Sequence, residues 1–97
     1  MANKADETFY KRADAHIKLS NEQISKEISH GKVSASTLYA AARFNAWVSA
    51  TGYTSRTEMA KGREETIAYF CEEYRRMFEE NLDDYIQNYE KYMGTIQ

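Results

Sequence analysis

The sequence predicts an all-α fold, and three observations carry that expectation. Proline is absent from the 97 residues, so no ring geometry imposes a helix break. Apolar residues recur at helical rather than alternating spacing. Of the four glycines, Gly31, Gly52 and Gly94 stand where a helical pattern stops, the usual place of a left-handed C-terminal cap. Gly62 lies inside a pattern that continues past it. The expected architecture is a three-helix arrangement over about 6–30, 35–51 and 56–93, forming a single domain of residues 1–97.

The first segment is amphipathic. At 100° per residue Phe9, Ala13, Ile17, Ser20, Ile24 and Ile28 share a sector about 100° wide. The opposite face carries Glu7 and Lys11, Asp14 and Lys18, and Glu22 and Lys26. Each is an acid four residues before a lysine, worth ~0.3 kcal/mol per pair. That face is read as solvated. His30, one residue before Gly31, is read as a C-terminal cap whose imidazole suits the negative dipole end.

The second segment opens with Ser34 as an N-cap candidate, with Val33 and Leu38 at the staple positions. It has no clean polar face. Leu38, Ala41, Ala42 and Ser49 make a side of small residues, while Ala40, Phe44, Trp47 and Val48 make a bulky one. A helix apolar on two sides is normally sandwiched, so this one is expected to be the central element.

The third segment starts with Ser55-Arg56-Thr57-Glu58, which has capping-box spacing. Its apolar positions Ile67, Cys71, Tyr74, Phe78, Leu82, Tyr85, Tyr89 and Met93 recur about every 3.7 residues, near the natural helix period. Unbroken from Arg56 to Met93, the rod would measure roughly 57 Å, against about 37 Å for the first helix. A three-helix bundle does not cover such a stripe. Either the rod bends, near Gly62 or at Asn81-Asp83-Asp84, or another subunit buries its tyrosine-rich end. The second alternative is favoured, because Tyr85, Tyr89, Tyr92 and Met93 are residue types enriched at interfaces.

Composition bounds the function. With 42% hydrophobic and 13% aromatic residues, the chain belongs with folded proteins rather than disordered ones. A net charge of −2 leaves no electrostatic footprint for nucleic acid. The charge is unevenly placed: residues 1–56 hold eight Lys/Arg and five Asp/Glu, net +3, and residues 57–97 hold five and ten, net −5. Opposite-sign halves attract within a bundle or between subunits. One cysteine, Cys71, excludes an internal disulfide and suits a reducing cytosol. No secretory signal is read at the N-terminus and no stretch has the length of a membrane span, so a cytoplasmic location is expected.

The residue patterns that chemistry demands are missing. Glu27-Ile28-Ser29-His30 has the Glu-x-x-His spacing of di-iron bundles, but such sites need two copies and further inward carboxylates. No metal and no cofactor are therefore expected. The acidic pairs, such as Glu72-Glu73, diverge by about 100° on a helix and do not converge on one ion. Cys71 reads as a small buried hydrophobe, and His16 as a boundary packing residue. What remains is a cluster on the second helix. Asn45 shares a sector with Leu38, Ala41 and Ala42 and is expected to be buried and hydrogen-bonded. Arg43 lies some 40° from Trp47, within reach of a cation–π contact, and Arg63 stands where the third stripe begins. Together Arg43, Asn45, Trp47 and Arg63 make either a small anionic-ligand pocket or, as the leading reading, a polar network fixing helix register.

The segment Gly31-Lys32-Val33-Ser34-Ala35-Ser36-Thr37-Leu38-Tyr39-Ala40-Ala41-Ala42-Arg43-Phe44-Asn45-Ala46-Trp47-Val48 resembles a family of short bacterial proteins, the domain-of-unknown-function family 3144. Phe9-Tyr10-Lys11-Arg12-Ala13-Asp14-Ala15-His16-Ile17 and Glu80-Asn81-Leu82-Asp83-Asp84-Tyr85 extend the resemblance over essentially the whole chain. It implies a bacterial cytoplasmic source and transfers no activity. The expected function is that of a non-enzymatic helical protein acting by self-association, as a dimer first of all, or by docking another protein. A small anionic-ligand binder using the Arg/Asn/Trp cluster is the alternative. An enzyme using His16 with carboxylates of the third helix ranks last.

Overall fold

The computed structural model describes residues 6–94, all helix, turn or irregular chain with no strand among them. The helices are α1 (Phe9–Gln23), α2 (His30–Ala50), α3 (Arg56–Lys61), α4 (Arg63–Gln87) and α5 (Tyr89–Met93). They fall into two compact units that divide in sequence between Val48 and Ser49. The all-α expectation holds, while five helices stand where three were expected.

In the first unit, a polar cluster upstream of α1 organises its first turn. Asp6 Oδ1 accepts from the Thr8 backbone N–H at 2.9 Å and from its hydroxyl at 3.0 Å. Arg12 closes the cluster, donating to Thr8 Oγ1 at 2.6 Å and to Asp6 Oδ2 at 3.0 Å. Donors that a helix start leaves unpaired are thus tied down from outside the helix. The Arg12 guanidinium, with the Thr8 donors behind it, holds the Asp6 carboxyl down at about 2. Further along the helix, Lys18 pairs with Glu22 at 2.7 Å rather than with Asp14.

The apolar stripe continues through Ile24 and Ile28, yet α1 stops at Gln23. The cause is Ser25, whose Oγ accepts from the backbone N–H groups of Glu27 and Ile28 at 3.2 and 3.1 Å, while its own N–H donates to the Ile28 carbonyl at 3.0 Å. A serine side chain that captures local backbone donors competes with helical hydrogen bonding. Ser29 then restarts the helix. Its Oγ accepts from the Lys32 N–H at 3.2 Å and its carbonyl from the Val33 N–H at 3.1 Å, which makes it the N-cap of α2.

Three expectations are thereby corrected. His30 sits at the first position of α2, at the positive dipole end. Gly31 lies inside the first turn of α2 rather than beyond a helix end. Ser34 is interior, and the staple positions around Ser29 fall to Ile28 and Val33. Val33, 4% exposed, is the one buried residue among the described residues. A hydrogen bond of 3.0 Å between Ser20 Oγ and Thr37 Oγ1 ties α1 to α2. Within this unit the 15-residue α1 is the one helical neighbour of α2, and Leu38, Tyr39, Phe44 and Trp47 are exposed.

In the second unit Ser55 caps α3 as the sequence predicts, accepting from the Glu58 N–H at 3.1 Å. At Gly62 the helix is distorted (φ −91°, ψ 5°) but not severed. Its N–H reaches the Glu58 and Met59 carbonyls at 3.2 and 3.1 Å, and its carbonyl accepts from the Thr66 N–H at 3.0 Å. Asn88 repeats this arrangement: its N–H donates to the Asp84 carbonyl at 2.9 Å and its carbonyl accepts from the Tyr92 N–H at 3.1 Å. Hydrogen bonding therefore passes through both positions, so α3 and α5 extend α4 rather than fold back on it. The distortions lie at Gly62 and Asn88, not at Asn81-Asp83-Asp84. Gly94, with φ 77°, is the one expected glycine cap found at positive φ.

Gly62 is needed for proximity, since its φ is one that any residue adopts. The Tyr53 ring lies so close that a Cβ at Gly62 would stand 2.9 Å from Tyr53 Cζ and closer still to its hydroxyl. That hydroxyl is held at 3.1 Å from Thr66 Oγ1. Thr66 spends its own proton on the Gly62 carbonyl at 2.8 Å, so Tyr53 donates.

Two outcomes follow from these contacts. Gly62→Ala should cost on the order of 1 kcal/mol in the presence of Tyr53, because the phenol must leave its partner. In a Tyr53→Ala background the same change should stabilise by up to about 1 kcal/mol through helix propensity. Denaturant titration of the four chains checks this, and an effect of equal sign in both backgrounds contradicts it. For Asp6, a carboxyl held below its ordinary 3.8 stabilises the start of α1 above that pH, and the contribution is lost as pH falls toward about 2. Amide protection at Phe9–Arg12 should drop over that window and be unresponsive there in Asp6→Asn; a titration placing Asp6 at its ordinary value contradicts the assignment.

Candidate interaction surface

The stripe of the third segment sits on α4 and α5 as the spacing predicts, and it lies open. Tyr85, Tyr89, Tyr92 and Met93 are 48, 55, 43 and 54% exposed. Ile67, Tyr74, Phe78 and Leu82 carry the exposed row back toward the start of α4. Cys71, between them, is exposed as well, which corrects its reading as a buried residue. Taking 100° per residue, α4 positions within about 60° of Ile67 and Tyr85 are Arg63, Glu64, Phe70, Cys71, Tyr74, Phe78, Asn81 and Leu82. Arg63 and Glu64 pair with each other at the start of the helix, and from Ile67 to Tyr85 no charged residue stands in this sector. The other charges of α4 lie on the remaining faces, where Arg76 pairs with Glu73 at 2.6 Å and Arg75 with Glu79 at 2.9 Å.

Rings along the row are already arranged against one another. Tyr74 and Phe78 stack with centroids 5.4 Å apart, and Tyr85 and Tyr92 lie at 4.7 Å. A network around Asp84 fixes the far end. Asn88 Nδ2 donates to Asp84 Oδ1 at 2.9 Å and to the Asp84 carbonyl at 3.1 Å. The Tyr92 hydroxyl donates to Asp84 Oδ2 at 3.0 Å, and Lys91 Nζ stands 5.6 Å from the centre of the Tyr92 ring. Sequence reasoning missed this network. Its signal is the spacing of Asp84, Asn88 and Tyr92, four residues apart on one helix face.

The second-helix cluster is arranged differently from its expectation. Arg43 and Trp47 are both exposed, and the ring beside Trp47 is Phe44, at 5.8 Å. Asn45 is half-buried. Arg63 lies in the other unit, where its guanidinium pairs with the adjacent Glu64. His16 is exposed on α1. Among the described residues no three His, Cys, Asp or Glu side chains gather as a metal site would require, and no helix is long and apolar enough to cross a membrane.

Comparison with known proteins places the chain. The family described as a protein of unknown function, DUF3144, matches residues 9–86. The chain belongs to that family. The match spans both units and takes in the row from Ile67 to Tyr85. A solved structure, the NMR structure of the protein NB7890A from Shewanella sp, is 36% identical, with 98% of this chain and 100% of that one aligned at a TM-score of 0.79. No curated protein matches.

Donation of the Tyr92 proton to an ionised carboxylate favours the neutral phenol, so this hydrogen bond, with the charge of Asp84 beside it, raises Tyr92 above the ordinary 10.0. Asp84→Asn should bring Tyr92 back down toward that value. Carbon-13 titration of the tyrosine rings checks the shift, and an unmoved Tyr92 would show that Asp84 does not hold it.

Proposed function

We propose that this is a non-enzymatic cytoplasmic protein that works through protein–protein contact, with the α4–α5 row as its contact surface. One observation carries the reading: an uncharged row of aromatic and aliphatic side chains stands about half exposed along the last two helices. Contiguous apolar surface of this kind marks interaction sites, whereas apolar side chains scattered singly do not. Its composition fits the same role, since tyrosine, phenylalanine and methionine are enriched at interfaces and charges are depleted at their centres. The Asp84 network and the stacked rings lower the entropy lost when such a surface is covered.

The reading is tested with an apolar fluorescent dye and light scattering, on the native chain and on Tyr85→Ala/Tyr89→Ala. A native chain that associates, or that stays single and binds dye, supports it, provided the double substitution weakens whichever behaviour is seen. A single chain that binds no dye has its row covered internally, which refutes the proposal.

A further inference from the structure

Resting on that contact reading, we infer that the occupant of the α4 row is the same row of a second copy, laid antiparallel about a two-fold axis at Phe78. The spacing of the row carries the inference. Ile67, Cys71, Tyr74, Phe78, Leu82, Tyr85 and Tyr89 step by four, three and four residues up to Phe78, and again by four, three and four beyond it. The pattern reads the same in both directions. A two-fold antiparallel pair requires this, because a residue k positions before the axis meets the residue k positions after it in the other copy.

The sizes also match under that operation. Cys71, the smallest side chain of the row, meets the Tyr85 position; Ile67 meets the Tyr89 position; Leu82 meets the Tyr74 position. Large side chains fall against smaller ones, as interdigitated packing needs. Between Ile67 and Tyr85 the acids of α4 lie outside the facing sector, so like charges do not meet at the centre of the pair. Antiparallel helices also bring opposite dipole ends together.

The area suffices. Six large side chains of the paired row from Ile67 to Tyr89, each about half exposed and with roughly 200 Å² apiece, present about 600 Å² per copy. Two such shares make about 1,200 Å², the lower end of the range of standard specific interfaces.

The test uses the native cysteine. Cys71 and residue 85 are about 21 Å apart along one helix, well outside the ~7 Å Cα separation that a disulfide spans, so a bond between them joins two chains. Full-length Tyr85→Cys, oxidised with copper phenanthroline, should run as a linked dimer, and the link should be lost in Tyr85→Cys/Cys71→Ser. It should also be lost when the new cysteine is placed on the opposite face, as Arg76→Cys. A link that survives Cys71→Ser joins residue 85 to its own counterpart and overturns the antiparallel register. Light scattering on the unaltered chain gives a reading free of folding defects, and twice the chain mass is expected. A single chain at high micromolar concentration overturns the second copy as occupant. If that chain also binds dye through the row, the contact reading survives with a different protein as partner.

Discussion

Covering apolar surface is the constraint on which the rest of this molecule depends. Alpha4 runs for 25 residues, about 37 Å, with a continuous apolar face, and a face of that length is buried only by something of similar length. The elements adjoining it in its own unit are short, six residues for α3 and five for α5. They also point the wrong way for the task. Because hydrogen bonding runs through Gly62 and Asn88, both continue the rod and lengthen its apolar row instead of shielding it. The same limitation appears in the first unit, where the 15-residue α1 faces the 21-residue α2 and, among the described residues, leaves only Val33 buried.

Much of this was legible in the sequence, for reasons that can be assigned residue by residue. The row from Ile67 to Met93 could be read because its repeat follows the helix period and every member is large except Cys71. The start of α3 could be read because Ser55 and Glu58 make a short, local signal. What failed was the region from Ile24 to Ser34. There the apolar period runs on without interruption, and the break is made by two serine side chains, Ser25 and Ser29, whose hydrogen bonds leave no trace in periodicity. Reading Gly31 as a terminator followed from the same gap, since a glycine near a helix end marks either end equally well until a cap is located.

The candidate site divides along similar lines. Exposure of Tyr85, Tyr89, Tyr92 and Met93 followed from a length mismatch, a global quantity that sequence supplies. Asn45, expected to be buried from the sector it shares with Leu38, Ala41 and Ala42, is half-buried. Cys71 was read as buried from its place in an apolar row, and that inference holds only if the row itself is covered within the chain. Tyr53 was invisible as a packing partner of Gly62, since a contact between a loop residue and a helix carries no periodic signal. Polar geometry on the α4–α5 surface belongs to a third category: Asp84, Asn88 and Tyr92 had the spacing in view, but spacing alone does not rank one i,i+4 pair above another.

Val33 has a kinetic consequence. A unit whose described residues bury a single side chain is held mainly by contacts a few positions apart: turns, caps and i,i+4 pairs. Such contacts close in microseconds or less and involve little loop entropy. Under the proposed pairing, helices of this kind are in place before two copies meet, and the slow event is their encounter. The rate at which the native state appears would then scale with the concentration of chains, a signature of bimolecular assembly that no rearrangement within one chain produces.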